Sequence, residues 1–249
     1  MPHFSANLTM MFTELPLIER FSAAKSAGFD TVEVLFPYDE SAADLLDRIV
    51  VNALTLALIN CPPPKYTDGP RGFAAIPGGQ ARFQHDFKRS LRYARALGAK
   101  HLHVMAGVAA GPKAKAAYIE NLAWAAAQAP GQSLTIEPIN PHDMPGYFLN
   151  DFDLAAAVLD AVAAPNLHLQ FDAYHAHRIT GDVAGTWARM AARVAHVQVA
   201  GYPGRHEPRG GQIDYVGFFA RLDADGYTGW VSGEYTPRGR TEDGLGWRD

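Results

Sequence analysis

"LHLQFDAYHAH", residues 167–177, sets an apolar run against a terminal aspartate and two histidines. Strand side chains alternate faces with a period of two. Leu169 and Phe171 therefore share one face, and His168, Gln170 and Asp172 the other. In a closed barrel the apolar face packs on surrounding helices. Asp172 then points at the barrel axis, from the C-terminal end of its strand.

The pattern recurs along the chain. "SLTIEPI" (133–139) sets Leu134 and Ile136 against Ser133, Thr135 and Glu137. "AHVQVA" (195–200) sets Val197 and Val199 against His196 and Gln198. "GWVSGE" (229–234) sets Val231 against Trp230, Ser232 and Glu234. Four further candidate strands precede them: FSANLTM (4–10), TVEVLF (31–36), LTLALIN (54–60) and KHLHVMA (100–106). Helical patterns lie between. LIERFSAAKSAG and DFKRSLRYARALG end in a glycine stop, and FDLAAAVLDAVAA and YVGFFARLDADG follow the same plan.

Eight strands alternating with helices predict a parallel sheet, since parallel strands need crossover connections. A chain of 249 residues is the size of one (β/α)8 TIM barrel, read here as a single domain over 1–249. The chain closes on TEDGLGWRD soon after the last strand, so the last helix is expected to be truncated. An open doubly wound sheet would carry a glycine-rich phosphate loop after its first strand, and NLTMMFTELP is not one. The long irregular stretch 60–79 follows the third strand, on the face where barrel active sites sit. It is expected to form part of the site wall.

Composition narrows the function. The chain is 48% hydrophobic and carries a net charge of −4, with no basic run to favour nucleic acid or an anionic membrane. Cys61 is the only cysteine, which excludes an intrachain disulfide or multi-cysteine metal cluster and fits a cytoplasmic location. MPHFSANLTMMFTELP lacks the plan of a signal peptide. No apolar run approaches the roughly 20 residues of a membrane helix.

Glu137, Asp172, Gln198 and Glu234 follow one another at intervals of 35, 26 and 36 residues, each about one βα unit. Four consecutive strands would thus point an oxygen-bearing side chain at one axis. Alone, each acid reads more readily as a helix N-cap or a loop solvator, and Gln198 as a hydrogen-bonding core residue. Their shared register favours a site. Three carboxylates in one cavity raise each other's pKa values unless a cation neutralises them. An all-oxygen donor set favours Mg2+ or Mn2+ over Zn2+.

The segments ANLTMMFTELP, FDTVEVLFPY, YARALG, HVMAGV, IEPINPHDMPGYFL, LQFDAYHAHRITGD, HVQVAGYPGRHEP and GEYTPRGRTEDGLGW run nearly the whole length of the chain. In them the sequence resembles the hydroxypyruvate isomerase family of xylose-isomerase-like barrels, nearest its 2-oxo-tetronate isomerase branch. The resemblance implies one divalent metal on Glu137, Asp172, Gln198 and Glu234, with Glu137 and Glu234 doubling as the acid/base pair. It also implies that His175 and Arg205 hold the substrate's oxygens or carboxylate. The sequence departs from the family's pattern in NCPPPKYTDGPRG, at Gln212 and Asp214, and at Ser232 and Gly233. The loop change bears on substrate identity more than on chemistry.

These residues predict a carbonyl shift between adjacent carbons through a cis-enediolate, acting on hydroxypyruvate or a 2-oxo-tetronate. A divalent cation would stabilise the developing charge. The expected partner is a small carboxylate-bearing molecule, and a homo-oligomer is left open. His101, His103 and Glu33 read as interior hydrogen bonders, His206 and Glu207 as loop scaffolding, His177 as a bystander and Cys61 as a buried small residue. The rival readings are a ketose 3-epimerase, a barrel-type metal-dependent endonuclease and a non-catalytic binding barrel.

Overall fold

The computed structural model describes residues 2–61 and 71–248. Its parallel strands are β1 (His3–Asn7), β2 (Thr31–Glu33), β3 (Thr55–Leu56), β4 (Leu58–Asn60), β5 (His101–His103), β6 (Ser133–Ile136), β7 (Leu167–Asp172), β8 (Val194–Val199) and β9 (Trp230–Gly233). They are hydrogen-bonded in the order β3-β2-β1-β9-β8-β7-β6-β5-β4. Only Ala57 separates β3 from β4. Its N–H donates to Val32 O and its O accepts from His101 N, each at 2.8 Å. The two ends of the sheet are thus one interrupted strand, and the sheet closes into a TIM barrel of eight strand positions. The fifth to eighth positions are β6 to β9.

Several strands are shorter than the apolar runs predict, and they stop early at the end that builds the site. Asn7 ends β1 by accepting Thr9 N–H (3.0 Å) and Met10 N–H (3.2 Å) on its side-chain oxygen. After β2, Leu35 N–H turns to Thr9 Oγ1 at 2.9 Å. After β6, Pro138 has no N–H to offer the ladder.

The helices are α1 (Leu17–Ser26), α2 (Ala42–Val51), α3 (Gln80–Leu97), α4 (Gly111–Gln128), α5 (Phe152–Val162), α6 (Ala173–Thr180), α7 (Val183–Met190) and α8 (Tyr215–Ala224). Side-chain oxygens of Ser41, Asp151, Asp182 and Asp214 cap α2, α5, α7 and α8. In place of a last helix, a 3-10 turn spans Thr241–Gly244. Trp247 then packs edge-on against Phe4, with ring centres 5.0 Å apart, and donates to Tyr235 Oη at 3.0 Å. Among the described residues no helix is long and apolar enough to cross a membrane.

Two kinds of core result. Outside the barrel, Leu134, Ile136, Leu169, Phe171, Val197 and Val231 are fully buried against the helices. Phe171 anchors an aromatic cluster with Phe152, Trp187 and Phe218 at ring separations of 5.5, 5.4 and 5.9 Å. Inside, the filling is polar: Asn7, Glu33, Thr135, Gln170, His196 and Gln198, each at most 1% exposed. Phe171→Ala should cost about 3–5 kcal/mol, lowering Tm by roughly 6–20 °C. Val216→Ser, at an 83% exposed site, should shift stability by no more than about 0.5 kcal/mol. Thermal unfolding by circular dichroism measures both.

Candidate active site

The polar filling forms one connected floor. Glu33 accepts from Asn7 Nδ2 and Gln198 Nε2, each at 2.7 Å, and its other oxygen lies 2.7 Å from His196 Nε2. Gln170 Nε2 donates to Gln198 Oε1 at 2.6 Å and to Glu137 Oε2 at 3.2 Å. Thr135 Oγ1 donates to Gln170 Oε1 at 3.0 Å. A carboxylate can only accept, so the NH2 end of Gln198 faces Glu33 and its carbonyl faces the Glu137 side.

Above this floor lies a cavity of about 250 Å³, walled by Glu137, His175, Arg205, Glu234, Arg71 and Met144 among others. It is smaller than the roughly 300–1,000 Å³ usual for drug-sized ligands. Two larger hollows, of about 720 and 770 Å³, include none of the six expected site residues.

Asp172 divides its work. Oδ1 caps α6, accepting Tyr174 N–H (2.7 Å) and His175 N–H (3.2 Å). Oδ2 turns into the site, 3.6 Å from His175 Nε2 and 3.5 Å from Arg205 Nη2. One oxygen of this residue thus caps a helix while the other faces His175 and Arg205. Glu234 Oε2 accepts from Arg205 Nη2 at 2.8 Å. Arg205 sits at φ +54°, a left-handed conformation uncommon outside glycine, and its guanidinium lies 5.2 Å over the Tyr174 ring. The structure thus gathers Glu137, Asp172, His175, Arg205 and Glu234 around one cavity. It places Gln198 in the floor, joined to Glu137 through Gln170.

Burial, then the charges of Glu234 and Asp172, hold the Glu137 carboxyl well above the ordinary range. Burial pushes Glu234 up to about 8, although Arg205 opposes the rise. Burial lowers His175 to about 4, against the pull of Asp172. For Arg205, burial is outweighed by Glu234, Asp172 and Glu137, so its pKa rises.

Among the described residues, Glu137 Oε1 and Asp172 Oδ2 are buried acceptors with no hydrogen-bond partner. One carboxylate oxygen from each of Glu137 and Asp172 and a ring nitrogen of His175 lie within 4.8 Å of one another. Orphaned oxygens on carboxylates grouped this closely fit a divalent cation.

Other expectations are placed as follows. His101 Nδ1 lies 2.9 Å from Ser133 Oγ, and His103 Nδ1 3.3 Å from Asn60 Oδ1. Glu207 accepts from Arg238 N–H at 2.9 Å, and His206 Nδ1 lies 2.8 Å from Thr236 O, both within the loops. His177 packs on Tyr202, ring centres 4.7 Å apart. Burial raises the Cys61 thiol to about 12. Of the expected wall at 60–79, residues 62–70 lie outside the described residues, while Arg71 does line the cavity. Sequence reasoning missed Arg71 and Asn140. Asn140 stood in view inside IEPIN, three residues past Glu137.

Residues 21–249 match the model of a family described as the xylose isomerase-like TIM barrel. A 2-oxo-tetronate isomerase of Cupriavidus necator is 47% identical, over 99% of this chain and 97% of its own. The hydroxypyruvate isomerase of Escherichia coli is 38% identical, over 100% and 99%. A solved structure named AP endonuclease, family 2, from Brucella melitensis superposes with a TM-score of 0.96 at 42% identity, covering 99% of this chain and 98% of its own. The chain therefore belongs to the xylose isomerase-like TIM barrel family, and within it to the hydroxypyruvate isomerase group. It is an isomerase.

The carboxyl cluster sets a pH dependence for the metal-free protein. A carboxyl whose folded pKa is raised stabilises the fold below its unfolded pKa, and that contribution is lost as pH rises toward the folded value. Between about pH 7.5 and 8.5 the histidines with lowered values are largely neutral in both states, since an unfolded imidazole titrates near 6.5. In EDTA, stability should therefore fall across this window, by up to about 1.4 kcal/mol per pH unit for each such carboxyl. Glu137→Gln should flatten the fall. Parallel denaturation curves for the two proteins at both pH values would show that Glu137 does not titrate this way.

Proposed function

We propose that this protein interconverts keto and aldo forms of a small 2-oxo hydroxy acid, hydroxypyruvate or a 2-oxo-tetronate, through a cis-enediolate. The observation that carries the reading is the pairing of Glu137 and Glu234 within one small buried cavity. Proton removal from one carbon and return to its neighbour needs two such groups with differing proton affinity. Glu234, whose ionised form is favoured by Arg205 at 2.8 Å, takes the proton from the hydroxyl-bearing carbon. Glu137, whose proton affinity is raised by burial, delivers one to the adjacent carbon. The hydroxyl proton meanwhile passes to the former carbonyl oxygen, so the product is an isomer. In the reverse direction the two glutamates exchange roles.

Glu137, Asp172, Glu234 and the Gln198 carbonyl are the residues that would hold Mg2+ or Mn2+. When bound, such an ion supplies positive charge against the developing enediolate. His175 and Arg205 face the same cavity, and Arg205 offers a charge-assisted contact to the substrate's carboxylate. The names of the full-length relatives support the substrate class.

The name of the Brucella structure favours a second reading, a metal-dependent endonuclease. The small acidic cavity and the net charge of −4 oppose it, since a phosphate backbone calls for cationic contacts. An abasic-site DNA titration over a range of salt concentrations separates the two readings.

The direct test is a panel of hydroxypyruvate, 2-oxo-tetronates and free ketoses, assayed with Mg2+ and Mn2+. Turnover confined to the 2-oxo acids is expected, and turnover confined to free ketoses would shift the reading to epimerisation. Glu137→Gln and Glu234→Gln should each lower kcat by about 10²–10⁴-fold with an unchanged circular dichroism spectrum. Substantial activity in both variants would remove the acid/base assignment. Asp172→Asn keeps an oxygen for the α6 cap while removing the charge, and should lower bound metal in elemental analysis. Unchanged metal content would take Asp172 out of the ligand set.

A further inference from the structure

Asn140 stands in the loop after β6, fully buried, and reaches across to α6. Its side-chain oxygen accepts the backbone N–H groups of His142 (3.1 Å) and Asp143 (3.0 Å). Backbone N–H groups only donate, so the amide oxygen must be the atom that faces them. The NH2 end is thereby turned to its two remaining neighbours, Asp143 Oδ2 at 2.9 Å and His175 Nδ1 at 2.7 Å. Asp143, which only accepts when ionised, is held in turn by Arg178 Nη1 at 2.6 Å. The two backbone N–H groups and the Asp143 carboxylate agree on one amide orientation. Reversing it would set NH2 against two N–H donors and oxygen against a carboxylate.

This orientation decides where the imidazole proton sits. A ring nitrogen facing an amide N–H must present its lone pair, so Nδ1 of His175 is unprotonated and the ring proton lies on Nε2. Nε2 faces the cavity, 3.8 Å from Glu137 Oε1 and 3.6 Å from Asp172 Oδ2. Both separations exceed hydrogen-bond length. The N–H thus points into the space between two oxygens that themselves lack partners among the described residues. An oxygen of a bound ligand would fill that space as an acceptor.

We propose that Asn140 is a positioning residue that fixes His175 in the Nε2–H form. His175 then donates to a substrate oxygen and leaves cation binding to the oxygen donors. The substrate half of this inference rests on the proposed function; the tautomer half does not. It also reinterprets the close grouping of Glu137, Asp172 and His175. The spacing of the three would suit a nitrogen-bearing metal triad, but a protonated Nε2 has no lone pair to give.

The test is long-range 1H–15N correlation spectroscopy of 15N-histidine-labelled protein at neutral pH, with and without saturating Mg2+. The His175 resonances are assigned by their loss in His175→Gln. Wild type should show unprotonated Nδ1 and protonated Nε2, and should keep that state with Mg2+ bound. Asn140→Asp, which replaces the NH2 donor with an acceptor, should move the proton to Nδ1 or place one on each nitrogen. Loss of one preorganised donor should lower its kcat by about 10²–10³-fold, with a smaller change in KM. A wild-type ring protonated on Nδ1, loss of the Nε2 proton on Mg2+ binding, or an Asn140→Asp protein that keeps the Nε2–H form would overturn the proposal. The first two readings need no variant to fold. If the expected tautomer is found but no 2-oxo acid turns over, the proposed function fails while the assignment of Asn140 is supported.

Discussion

Three buried carboxyl groups crowd together beside one guanidinium. Glu137, Asp172 and Glu234 converge because β6, β7 and β9 end on the same face of the barrel, and Arg205 lies against Asp172 and Glu234 with opposite charge. Burial makes this costly, since desolvation and mutual repulsion both disfavour the ionised forms. The cost is met locally by a raised proton affinity at Glu137, the Arg205 contact at Glu234 and two backbone donors on Asp172. An arrangement that leaves two carboxylate oxygens without partners among the described residues is poorly explained as stabilisation. Such acceptors suit a cation or a hydrogen-bond donor.

The cluster keeps its shape because its support is rigid. Glu33 ties β1, β2 and β8 together through Asn7, His196 and Gln198, and the chain continues through Gln170 to Glu137. Each donor in that chain has an acceptor, which sets the amide ends of both glutamines. On the opposite wall, α6 begins at the Asp172 cap itself, so the helix that carries His175 is registered directly to a site carboxylate. A displacement of either support would be felt at the reacting groups.

Much of this was legible in the chain. The barrel and the inward register of Glu137, Asp172, Gln198 and Glu234 follow from a period of two, which is a local property of strands. The points where strands leave the ladder were less readable, because Asn7 and Thr9 end them with side-chain hydrogen bonds that no periodicity reveals. Arg205 could be placed in a loop, but its turn toward Glu234 depends on a left-handed backbone at a residue that is not glycine. Asn140 stood in view within IEPIN, but its role could not be read there for a different reason. Its meaning lies in four partners from two separate segments, and only the folded loop brings them together.

The two cores of this barrel also respond differently to temperature. Unfolding the outer shell exposes aromatic and aliphatic surface, which raises the heat capacity by about 0.45 cal/K/mol per Å². Unfolding the inner plug of amide, carboxyl and imidazole groups exposes polar surface, which lowers it by about 0.26 cal/K/mol per Å². The curvature of the stability dome is therefore set by the shell around Phe171, while the plug around Glu33 flattens it. A barrel that fills its interior with hydrogen bonds gains a broader plateau of stability than one that fills it with hydrocarbon.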